Sequence, residues 1–237
     1  MPRPAARLIV EQLPEVGETA RVAGEEATHA RARRIQAGDL VVLIDGSGRE
    51  ATGRVERFGK SAVDIAVLEW RAAPEEGPAA ALLVSGVRPE RLDWIGEKAT
   101  ELGASRIVLV ASERAQGFRA SAPRAERLAR VVREAAKQCE RARWPDVAGP
   151  VGLSDALLER ARHRLVLDFD GGPFPASLTP DSSAVLVGPE GGWSEAERYA
   201  ARTAGWTPAR LPAGKLRTET AAIAALVLLR AALSARV

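Results

Sequence analysis

The sequence predicts an α/β fold, a mostly parallel sheet covered by helices on both faces and preceded by a small N-terminal β-barrel. Three observations carry this. From Ala80 onward, apolar strand runs alternate with helical periods, the pattern of parallel strands joined by crossovers. Residues before about 73 read instead as short strands joined by tight turns. Between them, Arg71–Pro78 combines two prolines, a glycine and charges, which is linker composition and sets a boundary between residues 1–73 and 74–237.

In the first region a helix near Glu25–Gln36 carries His29, Arg31, Arg33 and Arg34, a basic set that suits an RNA backbone or, equally, a solvated helix surface. Strands follow at Asp39–Ile44, Arg49–Phe58 and Ser61–Trp70, the last alternating Val63, Ile65 and Val67. The turns are Asp45-Gly46-Ser47-Gly48 and Gly59-Lys60. Such a meander can close into a barrel.

In the second region the pattern predicts strands at Ala80–Ser85, Arg106–Ala111, Leu165–Phe169, Ala184–Val187 and Thr207–Leu211. Helices are expected at Pro89–Leu102, Ala122–Arg143, Ser154–Arg162, Ser194–Ala204 and Thr218–Leu233. Within the long helix, Leu128, Val131, Val132, Ala135, Ala136 and Cys139 form a buried stripe, so Cys139 reads as a packed thiol. Lys137 falls on the opposite, polar face with Arg127, Arg130, Glu134 and Arg141. The final helix is apolar on every side from Ala221 to Leu229, so it must be enclosed, either within its own domain or against a second copy. The chain has no internal repeat and no low-complexity tract.

Composition narrows the function classes. A chain of 237 residues, 46% hydrophobic, can bury one large core or one medium and one small one. Its single cysteine excludes an intramolecular disulfide, and Cys139, His29 and His163 make a poor zinc ligand set, so no metal site is expected. Asp168 and Asp170, in a Gly-rich turn after a strand, read as solvated rather than as magnesium ligands. The start at Met1-Pro2-Arg3-Pro4 lacks the apolar stretch of a signal peptide. The run Ala221–Leu229 falls short of the roughly 20 residues that span a bilayer. A reducing, cytoplasmic setting without a membrane partner is expected. Net charge is only +3, but nine basic residues face five acidic ones between Ala111 and Pro150. That segment suits phosphates, and an Arg-rich solvated helix face would look the same.

The chemistry concentrates in two strand-to-helix junctions. Gly188-Pro189-Glu190-Gly191-Gly192 follows the run Ser182–Val187, and its glycines permit positive φ and close approach of a flat ligand to the backbone. It is neither a Walker loop, lacking Lys-Ser or Lys-Thr, nor a Gly-x-Gly-x-x-Gly turn. Leu211–Thr220 enters the final helix, with Thr218 as its expected cap and Glu219 in the first turn. Ligands in α/β domains sit where strands end and helices begin, so the two junctions predict one shared pocket.

These junctions, with Lys98-Ala99-Thr100-Glu101-Leu102-Gly103, Ser112-Glu113-Arg114 and Gln138-Cys139-Glu140-Arg141, resemble the RsmE family of SPOUT methyltransferases, which methylate N3 of a uridine in the decoding region of 16S ribosomal RNA. Asp45-Gly46-Ser47 and the helix at His29 look like the family's PUA-like barrel, so the resemblance spans the chain. It implies a SPOUT-type sheet with a C-terminal trefoil knot, an exception to the rule against threaded chains. It also implies a homodimer with the knot at the interface, S-adenosyl-L-methionine as cofactor, and 16S rRNA or the small ribosomal subunit as partner. Carried onto this sequence, the cofactor would meet the loop after Leu167, the turn Gly188, Pro189, Glu190, Gly191 and Gly192, and the backbone at Leu211, Leu216 and Thr218. Arg217 is the first candidate to stabilise the uridine anion, followed by Arg114 and Arg141. Glu219 and Glu190 are open between accepting the proton and supporting the fold. Gly214-Lys215 departs from the family's usual Arg-bearing loop. Other readings remain: methylation of another RNA position, a non-enzymatic RNA-binding or ribosome-assembly factor, or a nucleotide-binding oxidoreductase.

Overall fold

The computed structural model describes residues 4–72, 77–115 and 121–235. The boundary that the sequence sets after residue 73 lies outside the described residues, as do Arg119 of the basic segment and the first three residues. The chain divides into two compact units, one joining the N-terminal sheet to Ala136–Trp144 and the other holding the remaining C-terminal residues.

The first unit contains β1 (Arg7–Ile9), β2 (Thr19–Ala23), α1 (Gly24–Ala32), β3 (Leu40–Ile44), β4 (Arg49–Phe58) and β5 (Ala62–Ala72). They form a five-stranded sheet in the order β1-β3-β4-β5-β2, parallel at β1–β3 and antiparallel elsewhere. Two register shifts bend β4, one of them at Gly53, where a side chain would collide with Ile65. α1 packs on β1, β2 and β5, so it spans the two edge strands and closes the curled sheet with Ala27 and Ala30 buried against Leu8, Leu43, Val63 and Ile65. β1 and β2 escape the pattern because they are short and flanked by turn residues such as Pro14 and Gly17.

The turn at Asp45 is held by its own carboxylate, which accepts the Ser47 N–H at 3.0 Å and the Leu13 N–H at 3.1 Å. Burial opposes ionisation of Asp45, but the hydrogen bonds from Ser47 and Leu13 and the charge of Arg49 outweigh it and lower the pKa below the ordinary carboxylate value.

The second unit contains β6 (Ala80–Ser85), α2 (Pro89–Glu101), β7 (Arg106–Ala111), most of α3 (Ala122–Gln138), β8 (Asp146–Gly152), α4 (Leu153–Ala156), β9 (His163–Pro173), β10 (Ser183–Val187), α5 (Glu195–Thr203), β11 (Thr207–Arg210) and α6 (Thr218–Ser234). The sheet order is β11-β9-β10-β6-β7-β8, and every recorded pairing is parallel. The central β6 and β10 are buried along their whole length, which explains their unbroken apolar runs.

Three elements differ from the sequence reading. β8 carries Gly149-Pro150, which reads as a loop; proline is tolerated there because β8 is an edge strand. The helix expected over Ser154–Arg162 stops at Ala156, and the Leu157 carbonyl, which a longer helix would use, instead accepts the indole N–H of Trp206 at 3.1 Å. The long helix ends at Gln138 rather than Arg143. Glu140 adopts φ 60°, and the Arg141 N–H returns to the Ala136 carbonyl at 2.9 Å, a Schellman ending without glycine.

Beyond that ending the chain packs into the first unit. Ala142 and Trp144 cover Val42 and Ile44, and Arg143 donates to the Ser47 carbonyl at 2.8 Å. Lys137, expected on the polar face, is buried and pairs with Glu26 at 2.6 Å. The pairing is specific to the fold and has no signature in the helical period.

α6 packs against α2, β6 and β10, burying Ala222, Ala225, Leu226, Leu229, Ala232 and Leu233. Arg230 donates to the carbonyls of Pro78, Leu102 and Gly103. Gly103 takes φ 83°, a left-handed conformation that favours glycine at the end of α2. The segment Lys98–Gly103 thus works structurally, with Ala99 and Thr100 fully buried. The other face of α6 stays apolar but open, with Val227 44% exposed beside partly buried Ile223 and Ala224.

Candidate active site

Where β9 leaves its neighbours, the sheet opens. β11 pairs Pro208 with Val166 and then Ala209 with Gly172, so Leu167, Asp168, Phe169, Asp170 and Gly171 stand out of the ladder. Gly171 allows the return, since a Cβ there would lie 2.7 Å from the Ala209 nitrogen. This excursion is one wall of a cleft. The turn after β10 is the second wall, and the segment between β11 and α6 is the third. The cleft holds about 720 Å³ of non-atom space, open solvent included.

The second wall is built around Trp193. Its indole N–H donates to the Leu167 carbonyl at 3.0 Å, and its ring lies where a Cβ on Gly188 would stand, at 2.8 Å. Pro189 packs on Gly86, whose φ of 71° and missing side chain give it room. The turn hands over to α5 through a complete capping box, Ser194 with Glu197, and Glu197 also accepts the Glu113 N–H at 2.8 Å.

The third wall is tied to the second by one bond. Thr218 Oγ1 donates to the Gly188 carbonyl at 3.3 Å, and Thr218 is buried. Thr218 is therefore the first helical residue rather than the cap. The cap position belongs to Arg217, whose side chain makes no capping bond. Glu219 lies 3.5 Å from the Arg91 guanidinium.

Of the residues singled out from the sequence, Leu167, Gly188, Pro189, Glu190 and Gly192 line this cleft from two sides. Leu211, Leu216 and Thr218 line it from the third. Gly191 turns away, its carbonyl 3.3 Å from Arg114 Nη1. Arg114 is exposed and also reaches the Trp193 carbonyl at 3.4 Å. Arg217 is exposed between Leu216 and Thr218. Arg141 belongs to the first unit, where its backbone closes the end of α3. His29, Arg31, Arg33 and Arg34 gather at the C-terminal end of α1. Arg31 donates to the Gly59 and Lys60 carbonyls at 2.8 and 3.1 Å, Arg34 takes φ 56° to end the helix, and His29 is half-buried.

The sequence reading missed Trp193, Phe169 and Arg198 on the cleft wall. It also took Asp168 for a solvated residue. Asp168 is buried, its Oδ2 3.0 Å from Arg198 Nε, a close charge contact without hydrogen-bond alignment. Arg198 Nη1 also lies 3.2 Å from Asp170 Oδ2. Only a spacing between a loop and a later helix could have announced this, and sequence periodicity does not carry such a signal.

A parallel sheet with its cleft at strand-to-helix junctions, joined to a small β unit, defines a ligand-binding α/β protein with an accessory domain. Comparison with known proteins narrows this. Residues 75–230 match the model of the RNA methyltransferase domain, and residues 22–68 match that of the RNA methyltransferase PUA domain. Ribosomal RNA small subunit methyltransferase E of Mycobacterium bovis is 35% identical over 231 residues, covering 92% of this chain and 88% of the relative. Its counterpart in Bacillus subtilis is 29% identical over 236 residues, covering 92% of each chain. The crystal structure of the Neisseria gonorrhoeae ribosomal RNA small subunit methyltransferase E bound to S-adenosyl methionine superposes with a TM-score of 0.86 at 28% identity, covering 95% of this chain and 96% of the other. This chain belongs to the ribosomal RNA small subunit methyltransferase E family of RNA methyltransferases.

Proposed function

We propose that this protein methylates N3 of a uridine in the decoding region of 16S ribosomal RNA, with S-adenosylmethionine as methyl donor. The observation that carries the reading is the convergence of two glycine-bearing junctions, joined by the Thr218–Gly188 bond, on one cleft. The cleft suits that donor. Gly192 and Gly214 have open space where a side chain would stand, so a flat ring can lie against the backbone. Leu167, Leu211 and Leu216 offer apolar contact, while Glu190 brings a carboxylate to a ligand that carries a sulfonium and an ammonium. When bound, S-adenosylmethionine supplies an electrophilic methyl group.

The chain's own residues then position and polarise the base. Uridine N3 becomes nucleophilic as its proton leaves, and a guanidinium beside the ring stabilises the anion. Arg217, exposed between two cleft residues, has this role, with Arg114, on the loop that meets Gly191 and Trp193, as the next candidate. The ion pair of Glu219 with Arg91 supports a structural role for that carboxylate.

RNA is held by the first unit, residues 1–73 with Ala136–Trp144, and the second unit carries out transfer. Arg33 and Arg34 are exposed and free to meet phosphates with His29, while Arg31 also braces the hairpin turn. The open apolar face of α6 around Val227 supports a homodimer through that helix. The return of the chain from edge strand β11 to a helix packed on β6 and β10 supports the trefoil knot. The protein acts in the cytoplasm with its ribosomal substrate.

Mass spectrometry of nucleosides from 16S rRNA incubated with the protein and donor tests the reaction, with 3-methyluridine as the expected product. The Arg217→Ala protein should lose roughly a hundredfold or more in turnover while binding the donor normally by calorimetry. Undiminished turnover would remove Arg217 from the mechanism.

A further inference from the structure

The excursion Leu167–Gly171 carries one large aromatic ring. Phe169 sits at its middle, lines the cleft, and is 64% exposed. Tyr199 is still more exposed, at 73%, but among the exposed large hydrophobics of the described residues Phe169 alone lines the cleft, and its exposure is enforced by its neighbours. Asp168 on one side is buried against Arg198 Nε at 3.0 Å, and Asp170 on the other lies 3.2 Å from Arg198 Nη1. The Asp168 carboxylate also accepts the Asp170 N–H at 3.1 Å, which tightens the bend. The guanidinium of α5 thus holds the buried Asp168 and touches the exposed Asp170, and the ring between them is left outside. The Leu167 carbonyl is fixed by Trp193, and Gly171 is fixed against Ala209, so the ends of the excursion are anchored too.

We infer that Phe169 is a stacking platform for a base of the RNA substrate at the mouth of the cleft, held in place by Arg198 acting as a positioning residue. An aromatic face at a nucleic-acid site binds any base through its π surface, and a rigid mounting lowers the entropy cost of presenting it. The assignment rests on the reading of the cleft as the site of methyl transfer.

The test compares wild-type protein with Phe169→Ala, Phe169→Leu and Phe169→Trp, using small ribosomal subunits that lack the methyl group as substrate and calorimetry for S-adenosylmethionine. Alanine and leucine should each raise the KM for subunits about tenfold, tryptophan should restore it, and donor affinity should stay within about twofold of wild type. Leucine keeps the apolar bulk without a π face, so it separates stacking from folding. Arg198→Leu should give the same KM defect with Phe169 intact. An unchanged KM in the alanine and leucine variants overturns the proposal. So does a parallel loss of donor affinity, which would make the ring part of the donor's wall. Failure of wild-type protein to bind the donor would instead strike the reading of the cleft itself.

Discussion

The Gly188–Trp193 turn and the Leu167–Gly171 excursion face the same cleft but are held by different forces. The turn is fixed by space: Trp193 fills the room that Gly188 leaves, and Pro189 fills the room above Gly86. The excursion is fixed by charge at its centre, where Arg198 clamps Asp168 and Asp170, and by space only at its return through Gly171. Steric fixation resists any added atom, while an ion pair at a partly exposed guanidinium is softened by solvent. The comparison teaches that one wall is set by packing and the other can be loosened without dismantling the sheet.

Four substitutions sharpen that contrast. Gly171→Ala should cost most, about 3 kcal/mol, because the new methyl would meet backbone of Pro208 and Ala209 at 2.7 Å and neither can swing away. Thermal denaturation should show a drop of about 8 °C. Gly188→Ala meets the Trp193 ring at 2.8 Å, a side chain that can yield partly, so about 2 kcal/mol is expected together with weaker donor binding by calorimetry. Arg198→Leu leaves the buried Asp168 carboxylate without its cation. Solvent reaches the guanidinium, so the cost should be only about 1.5 kcal/mol in chemical denaturation. Thr218→Val removes the bond to the Gly188 carbonyl and should cost about 1 kcal/mol. If Arg198→Leu proved more damaging than Gly171→Ala, the roles of charge and packing in the first wall would be reversed.

What could be read in advance follows the same division. The glycine-rich turn was legible because only glycine tolerates a neighbour as close as Trp193, and the parallel sheet because buried strands run apolar without interruption. Helix ends show the limit. α2 and α5 stop in Schellman turns at Gly103 and Gly205, with φ of 83° and 80°, and the sequence reading stops them within a residue or two. α1 and α3 stop in the same way at Arg34 and Glu140, with φ of 56° and 60°, and the reading runs on past both. A long side chain in the left-handed region carries no mark in the sequence, because the contacts that stabilise it come from elsewhere in the fold. Asp168, Arg198 and Lys137 were misjudged or missed for a related reason. Their partners are remote in sequence, and hydrophobic periodicity says nothing about which charges meet.

The interleaving of Ala136–Trp144 with the N-terminal sheet has a practical outcome for anyone dissecting the protein. A fragment cut at the linker would strip the cover from Val42 and Ile44 and leave Glu26 without its ammonium partner. The natural autonomous piece is therefore not a contiguous stretch, and an expression design for the N-terminal unit must graft the downstream segment back on.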